Sequence, residues 1–442
     1  MTRGRIQGLL LFLAGSASFI WLGTYWERTT RVSMVDFKAV YCGARCLIEH
    51  RDPYDPAEME SAYLSRAMGH SSDPATIQLA VTRYIYLPTA FILTVPFALL
   101  PWGPAHAIWM IVTAGSFLFA VFLMWSAASR KAPVISGLLI CFFLATSELL
   151  LEVGNAAGIA VSLCVIAVWC FLQERFVWVG IVCFAISLLV KPHDAGLVWL
   201  YFLLAGSAHR KRALQALLVT SVLALPMLLW VSQVSPHWMQ EMHSNLAAHS
   251  ARGGDSDPGP QGVIAWTHGA QLISLQTVFS VFRDDPSFYG SATYLVSGVL
   301  LLAWAVIVVR SKFVLENAWL ALAAIAALSM LPTYHRQQDT RILLLMFPAF
   351  AILWSEKGRI RWAALVVTAT AIVLTGDIPL QLLGILAHRL RVSTIGFSGQ
   401  LWTLLLARPA PLALLAVGTF YLWVFVSRAF AVPQEDRSHR EQ

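Results

Sequence analysis

Apolar runs close to bilayer-spanning length recur from one end of this sequence to the other, and no long polar stretch separates them. A run of about 20 apolar residues is what an α-helix needs to cross a hydrocarbon core. Inside lipid the backbone must satisfy its own polar groups, which leaves helices or closed barrels, and these continuous runs lack the alternation of a barrel strand. Hydrophobic residues make up 58% of the chain and charged residues 12%, about half the charged share of a soluble domain. An all-α polytopic membrane protein follows, with residues 1–432 as one membrane domain and 433–442 as a cytoplasmic tail. The first run, after "MTRGR", has the charge pattern of a signal peptide but is too long and lacks a clear cleavage site, so it is expected to be a retained span.

Lys- and Arg-rich short loops mark the cytoplasmic side. Here they are "TRGR", "SRK" at 129–131, "QER" at 173–175, "HRKR" at 209–212, "RSK" at 310–312, "EKGRIR" at 356–361 and the tail from Arg428. Two crossings fit between consecutive basic loops from 131 to 361, giving about twelve spans of ordinary length and both termini inside. The run "YIYLPTAFILTVPFALLPW" breaks that count. Pro88 and Pro96 interrupt it, and Tyr84, Tyr86 and Trp102 are of the type that settles at an interface, so an interfacial or re-entrant helix is predicted. Two outward loops, 27–103 and 233–290, exceed what connection requires, which places the chemistry outside. A last outward loop is expected over 377–409. Within the second large loop, "ARGGDSDPGPQG" lacks any apolar period and is expected to be mobile.

The formal charge of +7 is spread over short loops without aromatic interleaving, which speaks for topology and against a nucleic-acid partner. Of the six cysteines, four lie within apolar runs, and Cys42 and Cys46 have the spacing of neighbouring helix turns, so packing is expected for all. No phosphate-cradling glycine loop, zinc-protease histidine pair or dinucleotide fingerprint is present in the sequence, which disfavours ATP-driven transport.

"MVDFKAVYCGARCLIEHRDPYDP", residues 34–56, reads as an amphipathic helix on the membrane surface, closed by the Asp-Pro turns. Phe37, Val40, Tyr41, Ala44, Leu47 and Ile48 share one face. Asp36 opens the helix as an N-cap or as a functional carboxylate. Lys191, a lone cation beside Pro192 between two apolar runs, either snorkels or meets an anion such as a phosphate. His193 and Asp194 follow it, and two adjacent residues do not by themselves make a metal site. Tyr334, His335, Arg336, Asp339 and Arg341 form a polar cluster in which His335 could bind a hydroxyl or phosphate oxygen and Arg336 or Arg341 could clamp a phosphate. Their alternative is a solvated turn. In "LEVGN", Glu152 and Asn155 are polar residues at a helix junction, and Gly154 is a candidate helix cap.

The order of these parts, a first span, "DF", the helix ending "RDPYDP", then "YLPTAFILTVPFALLP", a "GN" turn, "KP" and "LPTYH", resembles glycosyltransferase family 87 over roughly residues 5–355. That family comprises polyprenol-phosphate-mannose-dependent mannosyltransferases with the GT-C membrane fold. The resemblance implies an inverting, metal-independent transfer of mannose or another hexose or pentose from a polyprenyl-phosphate donor to a glycan or glycolipid acceptor. The reaction would take place on the outer, periplasmic face of the cell (inner) membrane, without a cofactor. It implies Asp36 as general base, Lys191 on the donor phosphate and His335 beside phosphate or acceptor, with Arg336, Arg341, Tyr41 and Asn155 as candidate binding residues. The family's Gly-Gln-x-x-Asn pattern is reduced here to Gly154-Asn155. The competing class is a transporter or flippase of a lipid-linked or amphipathic solute, for which a midplane site and an internal repeat are expected.

Overall fold

The computed structural model describes residues 2–30, 32–65, 83–254, 256–260, 271–311, 313–390 and 396–429. Among them the regular elements are helices, and extended pairing is confined to one isolated bridge between Leu272 and Arg336. Six helices are long and apolar enough to cross a membrane: Arg3–Thr29, Trp102–Ala128, Pro133–Glu152, Ala208–Val234, Pro286–Arg310 and Pro409–Ala429. Ile360–Thr375 and Asp377–Arg389, bent by 70° at Gly376, make a seventh if taken as one span. Ala157–Leu172, Val177–Val190 and Ala318–Leu328 are apolar but shorter. Pro88–Ala98 is too short to cross, in keeping with the interfacial or re-entrant reading.

Small residues set the closest helix contact. The first helix lies against Pro133–Ala145, and a Cβ on Gly8 would stand 2.4 Å from the Pro133 carbonyl oxygen, one on Gly137 2.8 Å from the Gly8 Cα. In lipid, where burial of apolar surface between helices gains little, such backbone approach is what holds helices together.

Basic loops meet one another in pairs. Arg5 donates to Ser129 Oγ (3.4 Å), Arg212 to Glu174 (2.9 Å), and Arg428 to both oxygens of Glu356 (2.7 and 2.8 Å). The first helix runs from the Arg5–Ser129 contact to the opposite end, where Thr30 Oγ1 donates to Glu152 Oε1 (2.9 Å). The opposite end carries the segments around Asp36, Asn155 and Tyr86.

Helix Val35–Ile48 has the expected limits, ending just before His50, which takes a left-handed φ of 55°. Asp52 and Asp55 then accept from the N–H groups two residues on, at 2.8 Å each, as turn-forming Asp residues do. It does not lie exposed on a surface, however. Residues from Phe37 to Leu47 are buried except for Arg45, which is half-buried. Its polar side is covered too: Arg45 donates to the Ala98 carbonyl (2.8 Å) and to Glu49 (2.7 Å). Cys42 and Cys46 are free and buried, as packing residues are.

The loop segment expected to be mobile is, in its described part, tied down. Asp257 accepts from the N–H of Gly253 (2.8 Å) and of Gly259 (2.7 Å), and Arg408 donates to the carbonyls of Pro258 (2.9 Å) and Gly259 (2.7 Å). A distant arginine thus replaces the apolar anchors the segment lacks. The loop expected over 377–409 is largely helical, as Asp377–Arg389 and Gly396–Trp402. The tail 433–442 lies outside the described residues.

Candidate active site

Asp36 is not the cap of its helix. Met34, left-handed at φ 55°, precedes the first turn, and the free N–H groups there are met by backbone: Met34 N donates to Glu152 O (2.7 Å) and Asp36 N to Val153 O (3.0 Å). The carboxylate is therefore spared that role and accepts at Oδ2 from Asn155 Nδ2 (2.8 Å). Asn155 is oriented in turn by its own Oδ1, which accepts from Ala157 N (2.7 Å) at the start of the next helix. With the oxygen so occupied, only the NH₂ group can face Asp36. Protein surrounds Asp36, yet part of its surface stays open. Burial pushes its carboxyl above the usual value, while the Asn155 hydrogen bond and the charges of Arg336 and Lys191 pull it back.

Gly154 makes the approach possible. Its φ is 66°, and a Cβ there would stand 2.8 Å from Met34 Cε and 2.9 Å from Phe37 Cβ. Its carbonyl accepts from Trp109 Nε1 (3.0 Å), and Trp109 stacks on Phe37 with centroids 4.4 Å apart. A helix-ending glycine thus also brings "GN" up against the turn that carries Asp36.

Lys191 sits at the break between Val177–Val190 and Pro192–Leu204. It is buried and does not snorkel: Nζ donates to Asp339 Oδ1 at 2.6 Å and lies 3.9 Å from Asp194 Oδ2. Asp339 reaches back with Oδ2 to the N–H of Arg336 (2.8 Å), opening a short 3₁₀ helix, Gln337–Leu345. The strand-like stretch 271–275 holds this segment, with Ile273 N donating to His335 O (3.1 Å) and Gln337 N to Gln271 O (3.0 Å). His335 Nδ1 lies 3.3 Å from Asp194 Oδ1 and 3.5 Å from Asp339 Oδ2. Burial disfavours the imidazolium, but the two carboxylates outweigh it and raise the ring to about 9. Arg336 donates through Nε to the Tyr334 hydroxyl (2.5 Å).

Tyr86, which the sequence marked only as an interfacial aromatic, belongs here. Thr89 Oγ1 donates to Leu189 O (2.7 Å), which docks the "YLP" segment beside the Lys191 break, and Tyr54 donates to the Tyr86 carbonyl (2.9 Å). The half-buried phenol lies within electrostatic reach of Asp36, Lys191, Tyr334 and Asp339, and burial, then Asp36, raise its pKa.

Two candidates do not join this group. Tyr41 is fully buried, its hydroxyl donating to Leu100 O (2.7 Å) and its ring against Phe37 and Trp102. Arg341 is wholly enclosed and paired with Asp377, which also accepts from Leu149 N (3.0 Å). It braces the bent helix pair. Asp36, Asn155, Lys191, His335 and Arg336 do converge, with Asp339, Asp194 and Tyr86 added. The arrangement offers a partly open carboxylate within electrostatic reach of Arg336, Lys191 and Asp339.

A family model described as glycosyltransferase family 87 matches residues 84–331, more than half of the chain. The match includes Tyr86, Asn155 and Lys191 and stops short of Asp36 and His335. No curated protein and no solved structure matches significantly.

Proposed function

Because this chain belongs to glycosyltransferase family 87, we propose that it transfers a sugar from a polyprenyl-phosphate donor with Asp36 as general base. The acceptor hydroxyl attacks the anomeric carbon as its proton passes to the Asp36 carboxylate. The bond from that carbon to the phosphate oxygen breaks, and the electron pair leaves with the phosphate. Attack opposite the leaving group inverts the anomeric centre. An acceptor hydroxyl is a poor nucleophile at neutral pH, and a positioned base contributes typically about 10²–10⁴-fold. Lys191 and Arg336 supply positive charge where the phosphate gains negative charge, in surroundings where water is partly excluded and charge interactions are strong.

One observation carries the reading. Asp36 is relieved of capping by the Glu152–Val153 backbone, oriented by Asn155, partly open, and placed under the influence of Arg336 and Lys191. Its position at the end away from the basic loops supports a reaction on the outer face, where a lipid-anchored donor and an aqueous acceptor meet. Mannose is the sugar favoured by the family resemblance, and a glycan or glycolipid is the acceptor expected. A count of about twelve crossings would require the shorter apolar helices also to span, with tilted or broken partners.

Asp36→Asn tests the base. Asn is nearly isosteric, so the expected outcome is an inserted protein that binds donor lipid while transfer falls about 10²–10⁴-fold. Donor binding and turnover are measured on one preparation, and near wild-type turnover would remove Asp36 from the mechanism.

A further inference from the structure

We propose that His193, Asp194, His335 and Asp339 form a site for one divalent transition-metal ion of the zinc class. One nitrogen or oxygen from each of the four lies within 4.8 Å of the others. Two chain segments far apart in sequence supply them, the first turn of Pro192–Leu204 and the 335–339 stretch, and the Lys191–Asp339 bond holds the two together.

The spacing is that of ligands around an ion. Zinc bonds to imidazole nitrogen and carboxylate oxygen are about 2.0–2.1 Å long, so neighbouring ligand atoms of a tetrahedral site stand about 3.4 Å apart. Three of the six edges here are 3.5 Å from His193 Nε2 to Asp194 Oδ1, 3.3 Å from Asp194 Oδ1 to His335 Nδ1 and 3.5 Å from His335 Nδ1 to Asp339 Oδ2, and the others stay within 4.8 Å.

Polar satisfaction supplies a second, independent reason. Asp194 is 3% exposed and His335 1%, and they face each other at 3.3 Å, yet neither oxygen of the one and neither ring nitrogen of the other makes a hydrogen bond among the described residues. Buried polar groups left without a hydrogen bond are rare and costly. Lys191 does not meet this need, for its ammonium is bonded to Asp339 and stays 3.9 Å from Asp194. An ion between Asp194 and His335 would meet it. Two imidazoles with two carboxylates suit zinc, or manganese as the neighbouring choice, better than magnesium or calcium, which take oxygen donors. The His193 side chain is 37% exposed and gives the ion a way in.

The full chain, purified in detergent and stripped with a chelator, is titrated with zinc, passed through gel filtration and analysed by elemental mass spectrometry. About one ion per chain is expected, as for a single four-ligand site. His193→Ala and Asp194→Asn should each weaken zinc binding at least about tenfold, since even residues that only support metal ligands cost 10–100-fold. Asp36→Asn should retain zinc, which separates this inference from the base assignment. No zinc retained by the wild-type chain would overturn the site. An unchanged affinity in His193→Ala, whose exposed side chain spares the fold, would overturn it equally, even if Asp194→Asn proved too unstable to purify.

Discussion

Asn155 does two things with one side chain, fixing its own orientation on Ala157 N and offering its NH₂ to Asp36. The second of these lowers the Asp36 carboxyl against the upward push of burial. A general base works ionised, so transfer should fail as the pH drops through its pKa. That acid limb should lie above the range of an ordinary aspartate, because the raised pKa leaves Asp36 protonated at a higher pH. Asn155→Ala removes a lowering influence, so the limb should move further up, which kcat/KM measured against pH would register. A limb that stays in place would mean that another group sets it. Asp36 was legible in the sequence because an acid in the first turn after a span is conspicuous, and Lys191 because a lone cation between apolar runs is. Tyr86 was hidden, since its place depends on the Thr89–Leu189 bond across 100 residues. Arg341 and Tyr41 looked eligible because sequence gives a residue's chemistry and not its depth.

Elements bring these residues together through short backbone approaches as well as through side-chain bonds. Gly154 is the case beside Asp36, with a left-handed φ and no room for a Cβ between Met34 and Phe37. Left-handed backbone costs a non-glycine residue about 1–2 kcal/mol, and the overlap must be relieved besides. Gly154→Ala should therefore lower the melting temperature and move Asn155 away from Asp36. Transfer should fall by more than donor binding does, and a variant with wild-type stability and turnover would show that the approach is not required. The limits of Val35–Ile48 could be read from its Asp-Pro turns. Its burial could not, since an apolar stripe reveals the face that packs and is silent about whether the polar face is covered as well. The same limit applies to residues 251–260, where the sequence lacks any anchor and Arg408 supplies one from about 150 positions away.

At the scale of the molecule, basic loops meet one another, and Asp36 lies at the far end of the first helix from Arg5. Arg5 with Ser129, Arg212 with Glu174 and Arg428 with Glu356 join basic loops that the sequence assigned to one side by Lys and Arg content alone. Their being neighbours in space is independent support for that grouping. The first helix, long enough to cross at 27 residues, separates them from Thr30 and the Glu152–Asn155 turn on which Asp36 rests. If basic loops stay in the cytoplasm, Asp36 opens to the outside. Single cysteines placed at Arg130 and at Glu60, both exposed, read the two ends directly. With the native cysteines replaced, a membrane-impermeant thiol reagent applied to intact cells should label position 60 and spare position 130 until the membrane is permeabilised. The buried Cys42, Cys46, Cys164 and Cys170 contribute little background even before replacement. Labelling at 130 and not at 60 would invert the protein and put the Asp36 site on the cytoplasmic face. The donor would then have to present its sugar to the inner leaflet, and an acceptor made inside the cell would replace the envelope glycan as the substrate to be sought.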